Sequence, residues 1–279
     1  MEIPKRTLGN TGIEVTVMGL GGEGILRTYG YEKEAAQLIN TAIDLGVNYF
    51  ESARAYSGSE LYYGKALKER RREIFLASKS HARGRRGALN HLHETLKQMM
   101  TDHLDLWQVH DMRTEEDIKE FFGPDGALQA FADAKKRGLV RFIGVTGHHD
   151  PSIIKRCIQD FDFDTVLIPV NPAEPVYKSF IDEVIPIAQG KGMGIVGMKA
   201  YLRGLAQRIP GYGTLEPFFR FALSHPITTA VIGCDSIRQL EENVGFARAF
   251  NAMGREEMQG TIDAVSPYAR QLMYYKPSN

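Results

Sequence analysis

The chain has 279 residues, of which 43% are hydrophobic and 24% charged, so it holds enough apolar material for a large buried core. Its 34 basic and 34 acidic side chains give a formal net charge of zero. The protein therefore has no overall positive charge that would attract nucleic acid or an anionic membrane. The N-terminal residues lack the apolar stretch of a signal peptide, so none is expected, and no later apolar run is long enough to span a bilayer. Cys157 and Cys234 are too few for a disulfide framework, and both are expected to be buried thiols in a reducing cytoplasm.

A short apolar run followed by a longer amphipathic segment recurs eight times along the chain. Runs rich in Val, Ile, Leu and Phe are typical of buried strands, and the amphipathic segments are typical of helices that cover a sheet. In chain order, the predicted strand–helix units are 15–21 with 32–45, 48–52 with 59–70, 74–79 with 88–100, 104–110 with 126–137, 142–146 with 152–161, 165–171 with 176–189, 194–200 with 215–224, and 229–233 with 237–250.

Eight such units in roughly 250 residues predict a (β/α)8 barrel, a parallel eight-stranded TIM barrel, in a single domain over residues 1–279. A doubly wound open sheet is the competing fold. That fold normally carries a Gly-x-Gly-x-x-Gly turn after its first strand, and the run GLGGEG at 19–24 only approximates this spacing. The count of units therefore favours the barrel.

Polar side chains follow three successive predicted strands. The second strand ends at Glu51, with Tyr56 in the loop behind it, the third ends at Lys79, and the fourth ends at His110. In a barrel these ends lie side by side on the rim that carries the chemistry. A nearby ammonium favours the phenolate of a tyrosine, a carboxylate holds the lysine, and a neutral histidine can orient a carbonyl oxygen. The strand ends therefore predict a proton-transfer site.

This combination resembles the aldo-keto reductases, a family of (β/α)8 barrels with a nicotinamide cofactor and an Asp, Tyr, Lys and His tetrad. The family reads F-D-T-A-x-x-Y-G-x-S-E where this chain reads FESARAYSGSE at 50–60, and the family His lies in D-L-x-x-x-H, here DLWQVH at 105–110. The resemblance covers nearly the whole chain. It implies an oxidoreductase that interconverts a carbonyl and an alcohol by hydride transfer. It also implies the roles of four catalytic residues. Tyr56 would be the proton donor, Lys79 the group that tunes its acidity, His110 the group that orients the carbonyl, and Glu51 the replacement for the family Asp.

The resemblance extends to other segments. The N-terminal RTLG at 6–9, with Gly12, implies a β-hairpin that closes the bottom of the barrel. The segment GCDSIRQLEEN at 233–243 matches the family's Gly-x5-Gln-x-x-Glu-Asn at the adenosine end of the cofactor, and KAYLRGL at 199–205 aligns with its pyrophosphate loop. The residues expected to bind the cofactor are Gly22, Thr146, Asn171, Lys199, Gly204, Gly233, Asp235, Gln239, Glu242 and Asn243.

The cofactor is expected to be NAD(H) or NADP(H). Asp235 stands where many family members carry Ser or Arg for the 2′-phosphate, and a carboxylate there would repel that phosphate and could accept from a ribose hydroxyl. Arg238 argues the other way, so the sequence favours NAD(H) only modestly. Two positions depart from the family: Gly147 follows Thr146 where Ser-Asn is common, and Leu167 replaces a Gln.

The expected partner is a small carbonyl or hydroxy compound. A polar mouth with Arg54, His81, His148, His149 and Lys199 would suit a sugar-like substrate. Specificity should lie in the rim loops and in the C-terminal segment 266–279. No metal site is expected, because no His-x-x-x-His spacing occurs. No iron–sulfur cluster is expected either, because no cysteine follows Cys234.

Two other functions stay open at this point. One is a nicotinamide-binding regulatory subunit with little turnover, which the departures Glu51, Gly147 and Leu167 would favour. The other is an epimerase that retains its cofactor and uses the Tyr–Lys pair as acid and base. The sequence leaves the substrate, the direction of the reaction and the oligomeric state undetermined.

Overall fold

The computed structural model describes residues 1–277. Residues 278–279 lie outside the described residues. They are the last two residues of the predicted domain and of the C-terminal segment that is expected to set specificity. Cys157 and Cys234 are buried free thiols, as the sequence predicts.

Within residues 1–277, no helix is both long enough and apolar enough to cross a membrane.

Two short antiparallel strands, β1 (Lys5–Thr7) and β2 (Glu14–Thr16), form a hairpin ahead of the main sheet. Eight parallel strands then close into a barrel. They are β3 (Met18–Gly24), β4 (Tyr49–Glu51), β5 (Phe75–Ser80), β6 (Leu104–Val109), β7 (Val140–Thr146), β8 (Thr165–Pro169), β9 (Gly194–Met198) and β10 (Thr229–Cys234).

The last strand closes the barrel by pairing on both of its edges. Thr229 lies opposite Val196 of β9, and Val231 lies opposite Gly19 of β3, both in parallel register. Closure leaves no free edge, so every strand has two neighbours. The predicted (β/α)8 architecture is confirmed.

Helices cover the outside of the barrel and bury their apolar faces against the strands. They are α1 (Glu32–Asp44), α2 (Ser59–Leu67), α3 (Arg85–Gln98), α4 (Glu115–Phe122), α5 (Ala127–Lys136), α6 (Pro151–Asp160), α7 (Phe180–Glu183), α8 (Ile185–Gly190), α9 (Glu216–Ser224), α10 (Ile237–Arg248), α11 (Arg255–Val265) and α12 (Ala269–Leu272). Helix α6 starts as its sequence indicates, because the Asp150 side chain accepts from the backbone N–H of Ser152 and Pro151 occupies the first turn.

Several boundaries differ from the sequence prediction. The predicted first strand, 15–21, crosses two elements, because Val15 belongs to the hairpin and the barrel strand begins at Met18. The predicted helix 176–189 is divided into α7 and α8. Helices α4, α11 and α12 are additions beyond the eight repeated units. A continuous apolar run does not reveal where one strand ends and another begins.

The hairpin closes the bottom of the barrel, as predicted. Leu8 and Val15 pack into the barrel interior against Tyr49 and Phe75, the first residues of β4 and β5. Gly9 lies against the start of β9 with φ 53°, and a Cβ there would come 2.2 Å from the backbone nitrogen of Gly194. Only glycine permits both this left-handed conformation and this close approach.

We predict that Gly9→Ala destabilises the protein by about 2–4 kcal/mol, the sum of a left-handed alanine and a backbone clash. Urea unfolding measures the change. Gly245→Ala is the matched control, since Gly245 is exposed within α10 and a Cβ there meets nothing within 4 Å. The control should stabilise the protein by up to about 1 kcal/mol through helix propensity. Equal midpoints for the Gly9 variant and wild type would contradict the packing of the hairpin.

Candidate active site

A cavity of about 860 Å³ opens at the C-terminal ends of the barrel strands. Its lining contains all four predicted catalytic residues and most of the predicted binding residues. These are Glu51, Tyr56, Lys79, His110, Gly22, Thr146, His148, Lys199, Gly204, Gly233, Asp235, Gln239, Glu242 and Asn243.

Lys79 is the central cation of the site and is only 1% exposed. Its Nζ lies 2.7 Å from Glu51 Oε1 and donates to the backbone oxygen of Ser52 at 2.9 Å and to the Tyr56 hydroxyl at 3.5 Å. Burial by itself would lower the pKa of Lys79, but Glu51 and Tyr56 together outweigh it, so the pKa is raised. The side chain is therefore an ammonium at neutral pH.

Glu51 fills the position of the shorter family Asp without losing contact with the lysine. Its second oxygen, Oε2, accepts from Gln108 Nε2 at 3.2 Å, so both carboxylate oxygens have a partner. Gln108 comes from β6 and is completely buried. The extra methylene is accommodated by this second contact, and the ion pair with Lys79 remains intact.

Tyr56 is a neutral phenol in this environment. Burial raises its pKa above the usual value near 10, and the charge of Lys79 opposes that shift without cancelling it. Sequence reasoning anticipated the effect of Lys79 but not the larger effect of burial, because desolvation depends on the folded surroundings. The hydroxyl is a proton donor whose conjugate phenolate would be stabilised by the adjacent ammonium.

His110 faces Tyr56 across the cavity floor, with ring centroids 5.9 Å apart and the rings perpendicular. Burial, and then the charge of Lys79, hold the pKa of His110 well below 6.5. The imidazole is therefore neutral at physiological pH and can form a hydrogen bond without a charge of its own.

The other predicted binding residues line the remainder of the cavity. Asn243 is held by the Tyr201 hydroxyl, which donates to its Oδ1, and its Nδ2 donates to the backbone oxygen of Gln239 at 2.7 Å. The Gln239 side chain in turn accepts from the backbone N–H of Asp235 at 2.7 Å. Burial lowers the pKa of Lys199 to about 8. With Lys79, Arg27, Arg113 and Arg203, the lining holds five lysine and arginine side chains. Arg27 and Arg203 both pair with Glu23.

Three predicted site residues lie outside the cavity lining. Arg54 pairs with the buried carboxylate of Glu60 and is held there. His81 is exposed, with its ring 4.6 Å from that of His91. Asn171 is buried behind the C-terminal segment, where its Nδ2 donates to the Tyr275 hydroxyl at 3.0 Å. All three follow barrel strands, but the direction of each side chain is set by its contacts with Glu60, His91 and Tyr275 and not by its position at the rim.

The C-terminal segment supplies a wall that sequence reasoning did not assign to particular residues. Tyr274 and Tyr275 both line the cavity. The next residue, Lys276, lies 2.8 Å from Glu174 Oε2, and both side chains are buried. The Tyr275 hydroxyl donates to Glu174 Oε1 at 2.7 Å. This buried pair fixes residues 274–276 over the barrel rim.

Asp111 and His149 also line the cavity. His149 was expected only as part of the polar mouth, and Asp111 was not among the predicted site residues. Asp111 directly follows His110 at the end of β6, so its position at a strand end was a usable signal. Its Oδ1 lies 3.3 Å from His148 Nδ1 and 3.5 Å from His149 Nε2. Together with His148 they offer ligand atoms that all lie within 4.8 Å of one another, a grouping that the sequence reasoning, which expected no metal site, did not anticipate.

A buried lysine, a protonated tyrosine and a neutral histidine at the rim of a parallel barrel form an arrangement that can exchange a proton with a bound small molecule.

Comparison with known proteins identifies the family of the chain. The Aldo/keto reductase family model matches residues 17–211, more than half of the chain, and the chain therefore belongs to this family. It is 25% identical to the uncharacterized oxidoreductase YqkF of Bacillus subtilis, over 97% of this chain and 98% of that protein. It is 23% identical to L-galactose dehydrogenase of Arabidopsis thaliana, over 98% of this chain and 97% of that one. The barrel resembles the solved aldo-keto reductase AKR11C1 from Bacillus halodurans in its holo form, with a TM-score of 0.79, 24% identity, and coverage of 95% of this chain and 97% of that one.

His148 gives the site a measurable pH signature. Burial, and then the charge of Lys199, lower its pKa from 6.5 to about 3. At pH values between 3 and 6.5, the imidazole of His148 is protonated in the unfolded chain but not in the folded protein. The free energy of unfolding therefore falls as the pH is lowered, by about 1.4 kcal/mol per pH unit. We predict that His148→Gln reduces this slope by about that amount in urea unfolding between about pH 4.5 and about pH 6.5.

The matched control is His93→Gln, since His93 is exposed on α3. Its slope should equal that of wild type. A His148→Gln slope equal to that of wild type would mean that His148 is already solvated in the folded protein.

Proposed function

We propose that this chain is a nicotinamide-dependent oxidoreductase that interconverts an aldehyde or ketone and the corresponding alcohol, with residues 1–279 acting as one catalytic domain in the cytoplasm. Its membership of the aldo/keto reductase family supports an oxidoreductase. The observation that carries the reaction type is the contact chain from Glu51 through Lys79 to the Tyr56 hydroxyl on the floor of the cavity.

The cavity suits a nicotinamide dinucleotide by its chemistry. Lys199 supplies positive charge for an anionic group, and Arg27 and Arg203 add to it although both pair with Glu23. Gln239 and Asn243 are held by hydrogen bonds within the lining. When bound, the cofactor supplies or accepts a hydride at the carbonyl carbon. The residues expected to hold it are those of the predicted set that line the cavity.

Tyr56 provides the proton in the reduction direction. Its neutral phenol donates to the oxygen of the reacting carbonyl as negative charge develops there, and Lys79 stabilises the phenolate that remains. In alcohol oxidation, the same phenolate accepts the proton. His110, neutral and next to Tyr56, can donate a hydrogen bond to the carbonyl oxygen and orient it.

The regulatory-subunit alternative depended on Glu51, Gly147 and Leu167. The intact pair between Glu51 and Lys79 removes the first of these reasons, because the longer side chain still reaches the lysine at 2.7 Å. No contact in the cavity favours an epimerase over an oxidoreductase. The relative named L-galactose dehydrogenase acts, by its name, on a sugar, which supports including sugar-like carbonyl compounds among the candidate substrates.

We predict that Tyr56→Phe lowers kcat by roughly 100- to 10,000-fold, since it removes a general acid. The measurement is nicotinamide absorbance with a panel of aldehydes, ketones and sugars and both cofactors. Tyr212→Phe is the matched control, because Tyr212 packs on Phe218 outside the cavity lining, and this variant should retain wild-type turnover. Cofactor binding, followed by nicotinamide fluorescence, should be similar in all three proteins. A Tyr56→Phe enzyme with undiminished kcat would refute the assigned role.

We propose further that the chain prefers NAD(H). Asp235 is exposed at the cavity edge, and its carboxylate forms no hydrogen bond or ion pair with any of residues 1–277. It is therefore available to accept from a ribose hydroxyl and would repel a 2′-phosphate.

We predict that Asp235→Ser improves NADPH binding relative to NADH by roughly tenfold, the size expected for removing one exposed like charge. Titration of both cofactors by fluorescence measures this. Asp162→Ser removes an exposed carboxylate ahead of β8, at the opposite end of the barrel, and should leave the ratio unchanged. Tighter binding of NADPH than NADH by wild type would overturn the preference.

A further inference from the structure

We infer that Lys199 is a nucleophilic lysine that captures small aldehydes and ketones as an imine in the protein without its cofactor. The inference goes beyond the proposed function, because this covalent step needs neither the nicotinamide nor Tyr56. It is carried by the surroundings of the Lys199 side chain, which is partly buried and lines the cavity but has no oxygen atom paired with its nitrogen within residues 1–277.

Two other lysines show how this chain stabilises a buried ammonium. Lys79 lies 2.7 Å from Glu51 Oε1 and donates to two further oxygen atoms. Lys276 lies 2.8 Å from Glu174 Oε2 and donates to two backbone oxygen atoms, both at 2.7 Å. In each case a carboxylate and two other oxygens surround Nζ, and this compensates for the loss of water around the charge.

Lys199 lacks such a set of oxygen partners. Its Nζ lies 5.3 Å from the centroid of the Tyr275 ring, and it forms no hydrogen bond or ion pair with the part of the chain that the structure describes. An aromatic face attracts an ammonium, but less strongly than a carboxylate in hydrogen-bond contact does. Burial therefore disfavours the charged form of this lysine more than that of the other two.

The backbone holds Lys199 at one place on the cavity wall. The residue directly follows β9 and has a left-handed φ of 57°, and its carbonyl oxygen accepts from the backbone N–H of Leu202 at 2.9 Å. The next residue, Ala200, is buried. Non-glycine residues adopt this conformation rarely, and such outliers collect at functional sites. The amine is thus presented to the cavity by a fixed turn.

The charges around Lys199 also weaken its hold on a proton. Burial is the largest cause, and Arg203 and Arg27 act in the same direction, whereas Glu23 and Asp111 oppose it. Glu23 is paired with both arginines, at 2.9 Å and 3.5 Å, so its charge is partly neutralised. The outcome is a pKa of about 8. At pH 7 roughly a tenth of the amine is then neutral, against fewer than about one in a thousand for an ordinary lysine.

A desolvated lysine beside other cations is the form in which this side chain acts as a nucleophile towards carbonyl compounds. The amine nitrogen adds to the carbonyl carbon. The carbonyl oxygen then leaves as water together with the two hydrogens of the amine, and the C=N bond forms. No oxidant or reductant is required, and hydrolysis reverses the step. The cavity, of about 860 Å³, has room for a small carbonyl compound beside Lys199.

The competing interpretation is that Lys199 only binds an anion. A phosphate group would pair with the ammonium and restore its charge, so a bound dinucleotide and the imine would exclude one another. The two interpretations differ in the protein without cofactor. An amine that only binds anions stays protonated there and reacts no faster than a lysine on the surface, whereas a nucleophilic lysine reacts faster.

The test is reductive alkylation of the nucleotide-free protein with propanal and sodium cyanoborohydride at about pH 7, which converts each imine to a stable propylamine. Peptide mass spectrometry gives the initial rate at each lysine. We expect Lys199 to react at least roughly tenfold faster than Lys33, which is exposed on α1. Lys79 is the matched control, because it lines the same cavity but is paired with Glu51, and it should react more slowly than Lys33. A rate at Lys199 no higher than that at Lys33 would overturn the inference.

Two variants test the physical cause. Lys199→Arg keeps a positive charge but cannot form an imine, so it should lose the fast site and leave the rates at the other lysines unchanged. Glu23→Gln removes a negative charge that favours the ammonium, and it should raise the rate at Lys199 by roughly two- to fivefold. A fast rate in wild type that Glu23→Gln lowers would overturn the electrostatic basis of the inference.

Repeating the alkylation with saturating NAD⁺ separates the inference from the proposed function. If the dinucleotide binds as proposed, it should slow Lys199 to about the rate of Lys33 and leave Lys33 unaffected. Fast alkylation of Lys199 in the presence of NAD⁺ would support the nucleophilic lysine and count against the proposed cofactor site. Slow alkylation both with and without NAD⁺ would overturn the inference and leave the proposed oxidoreductase function in place.

Discussion

The buried ammonium of Lys79 is the constraint on which the site depends. A charge removed from water needs compensation on all sides, and Lys79 receives it from Glu51, from the Ser52 carbonyl and from the Tyr56 hydroxyl. Leaving the lysine unpaired would cost several kcal/mol, so the carboxylate, the backbone turn after β4 and the phenol are all required around one nitrogen. The same compensation that stabilises the fold also places the proton donor next to a cation.

Barrel closure makes this arrangement possible. Glu51, Lys79 and Gln108 come from β4, β5 and β6, which pair in parallel register, so their ends meet at one rim. The opposite end is closed by the hairpin, with Leu8 packed into the interior. A barrel filled at the bottom and open at the top confines solvent to one side of the reacting groups. That asymmetry explains why burial raises the pKa of Tyr56 while the cavity still admits a ligand.

Two segments far apart in sequence complete the cavity. The buried pair between Glu174 and Lys276 holds the C-terminal segment against the loop after β8 and places Tyr275 in the wall. On the same rim, Asp111 is fixed by Arg113 and by Thr146 from the next strand. Walls that are held this firmly need little further ordering when a ligand binds.

The sequence by itself determined the barrel, through eight alternations of apolar and amphipathic segments, and it placed Glu51, Tyr56, Lys79 and His110 on neighbouring strand ends. These features depend on local periodicity and on strand order, which a linear chain records directly. Only the tertiary structure decided which strand-end side chains face the cavity. Arg54 turns to Glu60, Asn171 is covered by Tyr275, and Asp111 points inward beside His149. Each of these orientations depends on a partner remote in sequence or on burial, and for that reason the balance of charge and desolvation at Tyr56 and Asp111 appears only once the chain is folded.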